Sequence, residues 1–285
     1  MSNNYLCSYP FNMSELLEKA QKAASFIRSR TNRSFKTGLI LGSGLGNFVH
    51  EIAVETEIPY TEIPYFPEST VEGHSGKLIA GAIGGKSVLV LAGRFHFYEG
   101  YTAREVTFPV RVMKLLGVEN LLLSNAAGSV NPGFHIGDLV VITDHISFAT
   151  VNPLIGKNED AFGTRFPDMS EPYSKTLINT AKAIALQQGQ VLKEGVYFGV
   201  TGPTFETRAE YNLISRLGGD VVGMSTVQET IVAVHCGMRV FGVSVVTDIG
   251  IREEENTISH EEVLIAARNA EPKMSALFKE LVKAI

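Results

Sequence analysis

Short apolar blocks alternate with stretches of helical spacing along this chain, and polar residues collect where the blocks end. From Ser14 onward, Leu16, Leu17, Ala20, Ala23, Ala24 and Ile27 recur at helical spacing, so the pattern predicts a helix opened by Ser14. Gly38-Leu39-Ile40-Leu41 reads as a short buried strand. It runs into a glycine-rich turn, Gly42-Ser43-Gly44-Leu45-Gly46-Asn47-Phe48, and a helix start. Residues 58–76 form a loop with Pro59, Pro64 and Pro67, ending at Gly73-His74-Ser75-Gly76. Apolar runs on either side of Gly84-Gly85 signal a hairpin. Residues from Glu105 to Leu116 suggest one helix closing at Gly117. Glu119 to Ser124 is a fully buried type of strand, followed by Asn125-Ala126-Ala127-Gly128-Ser129. Further strands are expected at 138–143, 195–200, 220–223 and 240–246. They are separated by a Pro/Gly/Asn-rich loop over 152–171, a helix near 172–188, and a helix capped by Ser225 or Thr226. Ser259 and Glu262 have capping-box spacing at the start of the C-terminal helix. Residues 1–11 look irregular. Alternating strands and helices predict an α/β fold, and no linker divides residues 1–285.

Composition narrows the function classes. A net charge of −5, with no Lys/Arg run, argues against a nucleic-acid surface. Two cysteines, Cys7 and Cys236, exclude a disulfide framework and a Cys-based zinc site. The N-terminus lacks the apolar region of a secretory signal and no window approaches a membrane span, so a reducing, cytoplasmic setting is expected.

The chemistry sits at the strand ends: Ser43, Arg94, Asn125, Glu206, Ser225 and Asp248. In α/β folds ligands gather outside the carboxyl ends of strands. In Gly93-Arg94-Phe95-His96-Phe97-Tyr98-Glu99-Gly100-Tyr101, extended backbone would point Arg94, His96 and Tyr98 the same way. A guanidinium, an imidazole and a phenol on one wall suit an anion, or else a solvated strand edge. The turn around Ser43 suits a phosphate, or else a tight connection needing glycine. It is not the dinucleotide fingerprint, because Asn47 stands where the third glycine belongs. The small residues at 125–129 permit close ligand approach or dense packing. Phe205 and Glu206 could stack on and accept from a flat ring, or Glu206 could simply favour a helix first turn.

Taken together, Gly42-Ser43-Gly44-Leu45-Gly46, Gly93 to Tyr101, Ser124 to Gly128, Gly202 to Glu206, Gly223-Met224-Ser225-Thr226 and His260-Glu261-Glu262-Val263 resemble the purine nucleoside phosphorylases of the trimeric class. The resemblance implies a single-domain mixed β-sheet flanked by helices and a homotrimer. It implies cleavage of a purine nucleoside by inorganic phosphate, with no metal or organic cofactor. Carried over by position, Ser43, Arg94, His96, Ala126 and Ser225 match the phosphate site, and Tyr98, Met224 and His260 match the ribose site. Ala127, Gly128, Phe205, Glu206 and Asp248 match the base pocket, and His96, Glu206 and Asp248 the chemistry.

Two departures matter. Family members that use 6-oxopurines usually carry Asn at the position of Asp248. An ionised Asp only accepts hydrogen bonds, so adenosine is expected as a substrate alongside inosine and guanosine. The loop Ser147-Phe148-Ala149-Thr150-Val151 is short, and its Phe148 is the candidate for the aromatic that the family sends into a neighbouring subunit's ribose site. A methylthioadenosine phosphorylase is the nearest alternative; His260 argues against it, because a methylthio group wants an apolar wall. A nicotinamide-dependent oxidoreductase would rest only on the glycine turn, and a non-catalytic nucleoside binder would leave the anion wall unused.

Overall fold

The computed structural model describes residues 14–70, 75–251 and 258–285. The irregular arm at 1–11, Cys7 and His74 lie outside the described residues. Ser14 caps α1 (Glu15–Arg30), its hydroxyl accepting from the Leu17 N–H, and Ala20, Ala23, Ala24 and Ile27 form the buried stripe. The strands β1 (Thr37–Ile40), β2 (Ala53–Pro59), β3 (Lys77–Ile83) and β4 (Lys86–Ala92) follow, with Gly84 and Gly85 at positive φ in the hairpin between β3 and β4. The helix expected after the glycine turn is a 3-10 helix instead, Gly46–Glu51. Glu271, from the far end of the chain, accepts from the Phe48 N–H and the Asn47 side chain there.

The single helix expected over 105–116 is broken into α2 (Ala103–Val106) and α3 (Phe108–Leu115). Pro109, in the first turn of α3, has no N–H to continue the ladder back into α2. The rest of the chain supplies β5 (Asn120–Ser129), β6 (Leu139–Ile146), α4 (Lys175–Gln187), β7 (Leu192–Gly199), α5 (Arg208–Arg216), β8 (Val221–Gly223), α6 (Val227–His235), β9 (Arg239–Ile249) and α7 (His260–Ala284). Of the two candidate caps before α6, Thr226 takes the position, in a capping box with Glu229. Cys236, expected within the helical pattern, is the buried C-cap of α6.

The sheet is mixed and runs β2-β3-β4-β1-β5-β8-β7-β6-β9, with β5 also paired to β9. That extra pairing closes β5, β8, β7, β6 and β9 into a ring, which single-strand patterns do not reveal. β1, β4, β5 and β9 run parallel to their neighbours in this part of the sheet, so their carboxyl ends emerge on one side. The β5–β9 register slips between Ala127 and Gly128, leaving Thr247 as the extra residue and setting Asp248 opposite Gly128. Bulges of this kind re-aim side chains at the end of a sheet.

Candidate active site

The strand ends converge on a cavity of about 360 Å³. One group of lining residues is Ser43, Arg94, His96, Ala126 and Ser225; a second is Ala127, Gly128, Phe205, Glu206, Thr247 and Asp248. Tyr98, Met224 and His260 lie along the walls. Of the residues singled out in the sequence, all but Phe148 line this space.

The Ser43 turn fits because glycine precedes it. A Cβ on Gly42 would stand 2.7 Å from the Ser124 carbonyl oxygen and 3.2 Å from Arg94 Nη1. Arg94 is 1% exposed and does not present an open fork. Its Nε and Nη2 donate to the Glu229 carboxylate at 3.1 and 3.0 Å, and Nη1 donates to the Ser124 carbonyl at 2.7 Å. Backbone extension also stops at His96, and Phe97–Glu99 is a 3-10 turn. The alternation that would align Arg94, His96 and Tyr98 is therefore broken. The turn brings Tyr98 back by another route, stacking its ring on His96 at 4.7 Å and 16°.

His96 Nδ1 lies 3.0 Å from Glu99 Oε1, and the same oxygen accepts from the His96 N–H at 2.8 Å. Burial would raise the Glu99 carboxyl, but hydrogen bonds from His96 and Thr70 outweigh it and hold it at about 2. Burial pushes the His96 pKa below its usual value, against the pull of Glu99. In the tautomer that donates from Nδ1 to Glu99, Nε2 is an acceptor.

In the second group, a Cβ on Gly128 would meet Asp248 Oδ2 at 2.6 Å, so glycine is what lets the carboxylate pack there. Thr247 Oγ1 is 3.0 Å from Asp248 Oδ1 and 3.3 Å from the Ala127 carbonyl. Burial pushes the Glu206 pKa up, partly opposed by hydrogen bonds from its own backbone and Tyr211, and the Asp248 charge pushes it further. Glu206 stands just before the Thr207 cap of α5, so it is not spent in that helix's first turn. Burial likewise takes the Tyr98 phenol up to about 12.

A family profile described as Phosphorylase superfamily matches residues 36–283. Purine nucleoside phosphorylase 1 of Bacillus subtilis is 51% identical, covering 94% of this chain and 97% of that protein. The purine nucleoside phosphorylase of Bos taurus is 46% identical, covering 94% and 95%. A crystal structure of the Schistosoma mansoni purine nucleoside phosphorylase in complex with adenosine superposes with a TM-score of 0.90 at 42% identity, covering 94% of this chain and 98% of that one. The chain belongs to the purine nucleoside phosphorylase family. It is an enzyme of the pentosyltransferase kind, and the methylthioadenosine and nicotinamide readings are set aside.

In this phosphorylase Phe148 is 71% exposed. It packs edge-on against Phe198 at 5.4 Å and lines a neighbouring pocket of about 240 Å³ that shares Phe205 and Glu206 with the main cavity. Sequence reasoning missed Glu229 and the role of Glu99. The signal for Glu229 was present as Thr226-x-x-Glu229, a capping-box spacing; its partner Arg94, 135 residues away, had no local signature. Among the described residues no helix is long and apolar enough to cross a membrane.

Proposed function

We propose that this phosphorylase transfers the pentosyl group of purine nucleosides, adenosine among them, to inorganic phosphate. Phosphate sits with Ser43, Arg94, His96, Ser225 and the Ala126 backbone, ribose lies along Tyr98, Met224 and His260, and the base lies between Phe205, Glu206 and Asp248. The observation that carries this reading is the lining of one cavity, which brings together a guanidinium, an imidazole and hydroxyls with an aromatic and two carboxylates.

The chemistry follows from that lining. As the glycosidic bond lengthens, its electron pair moves onto the purine and positive charge develops on the sugar. A phosphate oxygen offsets that charge from the anion end and forms the new bond at the anomeric carbon. The departing ring needs donors, and Asp248 when protonated can donate to it. One donor aimed at developing charge is typically worth about 3–4 kcal/mol.

Base preference turns on the two carboxylates. A 6-oxopurine offers N1–H, which an ionised Glu206 accepts, but its O6 is repelled by an ionised Asp248. A 6-aminopurine reverses both demands: its amino group donates to Asp248, while its N1 is an acceptor that needs a protonated Glu206. The raised Glu206 pKa favours that protonated form. The solved relatives in complex with adenosine and with inosine support a site of this kind admitting both bases.

The direct test is release of free base from adenosine, inosine and 5′-methylthioadenosine, with and without phosphate. Phosphate-dependent release from adenosine and inosine, and little from the methylthio analogue, is the expected result. Adenosine turnover at background level ends the adenosine assignment.

The exposure of Phe148 supports its reaching a neighbouring copy's ribose site in the homotrimer that the family resemblance implies. Phe148→Ala is expected to raise the nucleoside KM roughly tenfold, the scale of 1.4 kcal/mol, and to leave the phosphate KM near its native value. An unchanged nucleoside KM removes Phe148 from the site.

A further inference from the structure

Glu229 lies in the first turn of α6 and is 3% exposed. It is not part of the cavity wall, yet its two oxygens bind both halves of the anion end. Oε1 accepts from Arg94 Nε at 3.1 Å, while Oε2 accepts from Arg94 Nη2 at 3.0 Å and from the Thr226 N–H at 2.8 Å. Thr226 is held at φ 69 and ψ −49, a region that β-branched residues rarely adopt. Its hydroxyl accepts from Asn125 Nδ2 at 2.9 Å and lies 3.1 Å from Ser225 Oγ. One carboxylate therefore joins the exit of β4, the turn between β8 and α6 and, through Thr226, Asn125 within β5.

We infer that Glu229 is the positioning residue of the anion seat: it orients Arg94 and holds the Ser225–Thr226 turn in its unfavourable conformation, so that both groups meet one anion. The inference rests on reading that end of the cavity as the phosphate seat. The physical reason is twofold. A guanidinium this deeply buried requires a counter-charge, and a planar carboxylate facing the Nε/Nη2 edge fixes the plane of the fork. The same carboxylate accepts the Thr226 N–H and so holds the turn that carries Ser225, which lines the cavity. Glutamine has the same shape but one of its two groups only donates, so it cannot satisfy Arg94 and Thr226 together.

Steady-state kinetics of Glu229→Gln, Glu229→Asp and Arg94→Gln, varying phosphate and nucleoside separately, test this. Losing a charge-assisted, buried acceptor predicts a phosphate KM raised about ten- to a hundredfold in Glu229→Gln, with the nucleoside KM held within about threefold. Glu229→Asp keeps the charge, displaced by one methylene, and is expected to fall between the two. It carries the same split if Glu229→Gln does not fold. Both KM values rising together, with no recovery in Glu229→Asp, means a merely structural role and overturns the inference. A raised phosphate KM in Arg94→Gln beside an unchanged one in Glu229→Gln also overturns it, leaving the phosphate seat intact. If neither variant moves the phosphate KM, the seat itself is misassigned and the inference falls with it.

Discussion

Asp248→Asn is expected to turn this phosphorylase toward inosine and away from adenosine. Asp248 is 6% exposed and packed against Gly128, so the substituted side chain has little freedom to move aside. In the native protein an ionised carboxylate accepts from the amino group of a 6-aminopurine and repels the oxygen of a 6-oxopurine. An asparagine amide donates to O6 and N7 instead. For the 6-oxopurine a repulsion becomes a hydrogen bond, and for the 6-aminopurine a charged acceptor becomes a neutral amide oxygen. At about 1.5–3 kcal/mol for a hydrogen bond to a charged group, the ratio of kcat/KM for adenosine over inosine should fall by about a hundredfold. The substitution also removes a negative charge that raises the Glu206 pKa, so Glu206 should ionise at lower pH and accept N1–H of a 6-oxopurine over a wider range. Kinetics with the two nucleosides at saturating phosphate check both parts. A ratio that moves less than about threefold would show that Asp248 is merely accommodated at this position.

The second large effect concerns Glu206 and pH. Burial and the neighbouring Asp248 raise its pKa, so its protonated form persists to higher pH than an ordinary glutamate's. Below that pKa the group is an acid that donates to N1 of adenine; above it the group is a carboxylate that accepts N1–H of a 6-oxopurine. The native kcat/KM for inosine should therefore rise as pH increases through the Glu206 pKa, while the ratio of adenosine to inosine falls. Glu206→Gln removes the titration and leaves an amide that can donate to adenine N1. Inosine kcat/KM should drop by about ten- to a hundredfold, because N1–H exchanges a charged acceptor for a neutral amide oxygen, and adenosine should lose far less. The pH dependence of the ratio should flatten. A ratio that is pH-independent in the native protein, or a Glu206→Gln enzyme that loses both substrates equally, would remove Glu206 from base selection.

Much of the site is written locally. Buried strands announce themselves as apolar runs, and the residues that follow them, Ser43, Arg94, Asn125, Glu206, Ser225 and Asp248, stand out because they are polar or follow glycine. The caps at Ser14 and Ser259 were equally plain, since a cap and its N–H lie within one turn. The broken helix at Thr107 was legible in principle from Pro109, whose missing N–H acts over a single turn.

What the sequence by itself determined is thus the α/β alternation, the family likeness, and the set of residue types brought to the strand ends. Only the tertiary structure decided what those residues are free to do. Arg94 is clamped by Glu229, burial lowers the His96 pKa while Glu99 orients the ring, and burial, with Asp248 beside it, raises that of Glu206. The physical reason is range: capping and periodicity act between residues a few positions apart, whereas charge pairing, desolvation and register depend on which distant strands the sheet sets side by side.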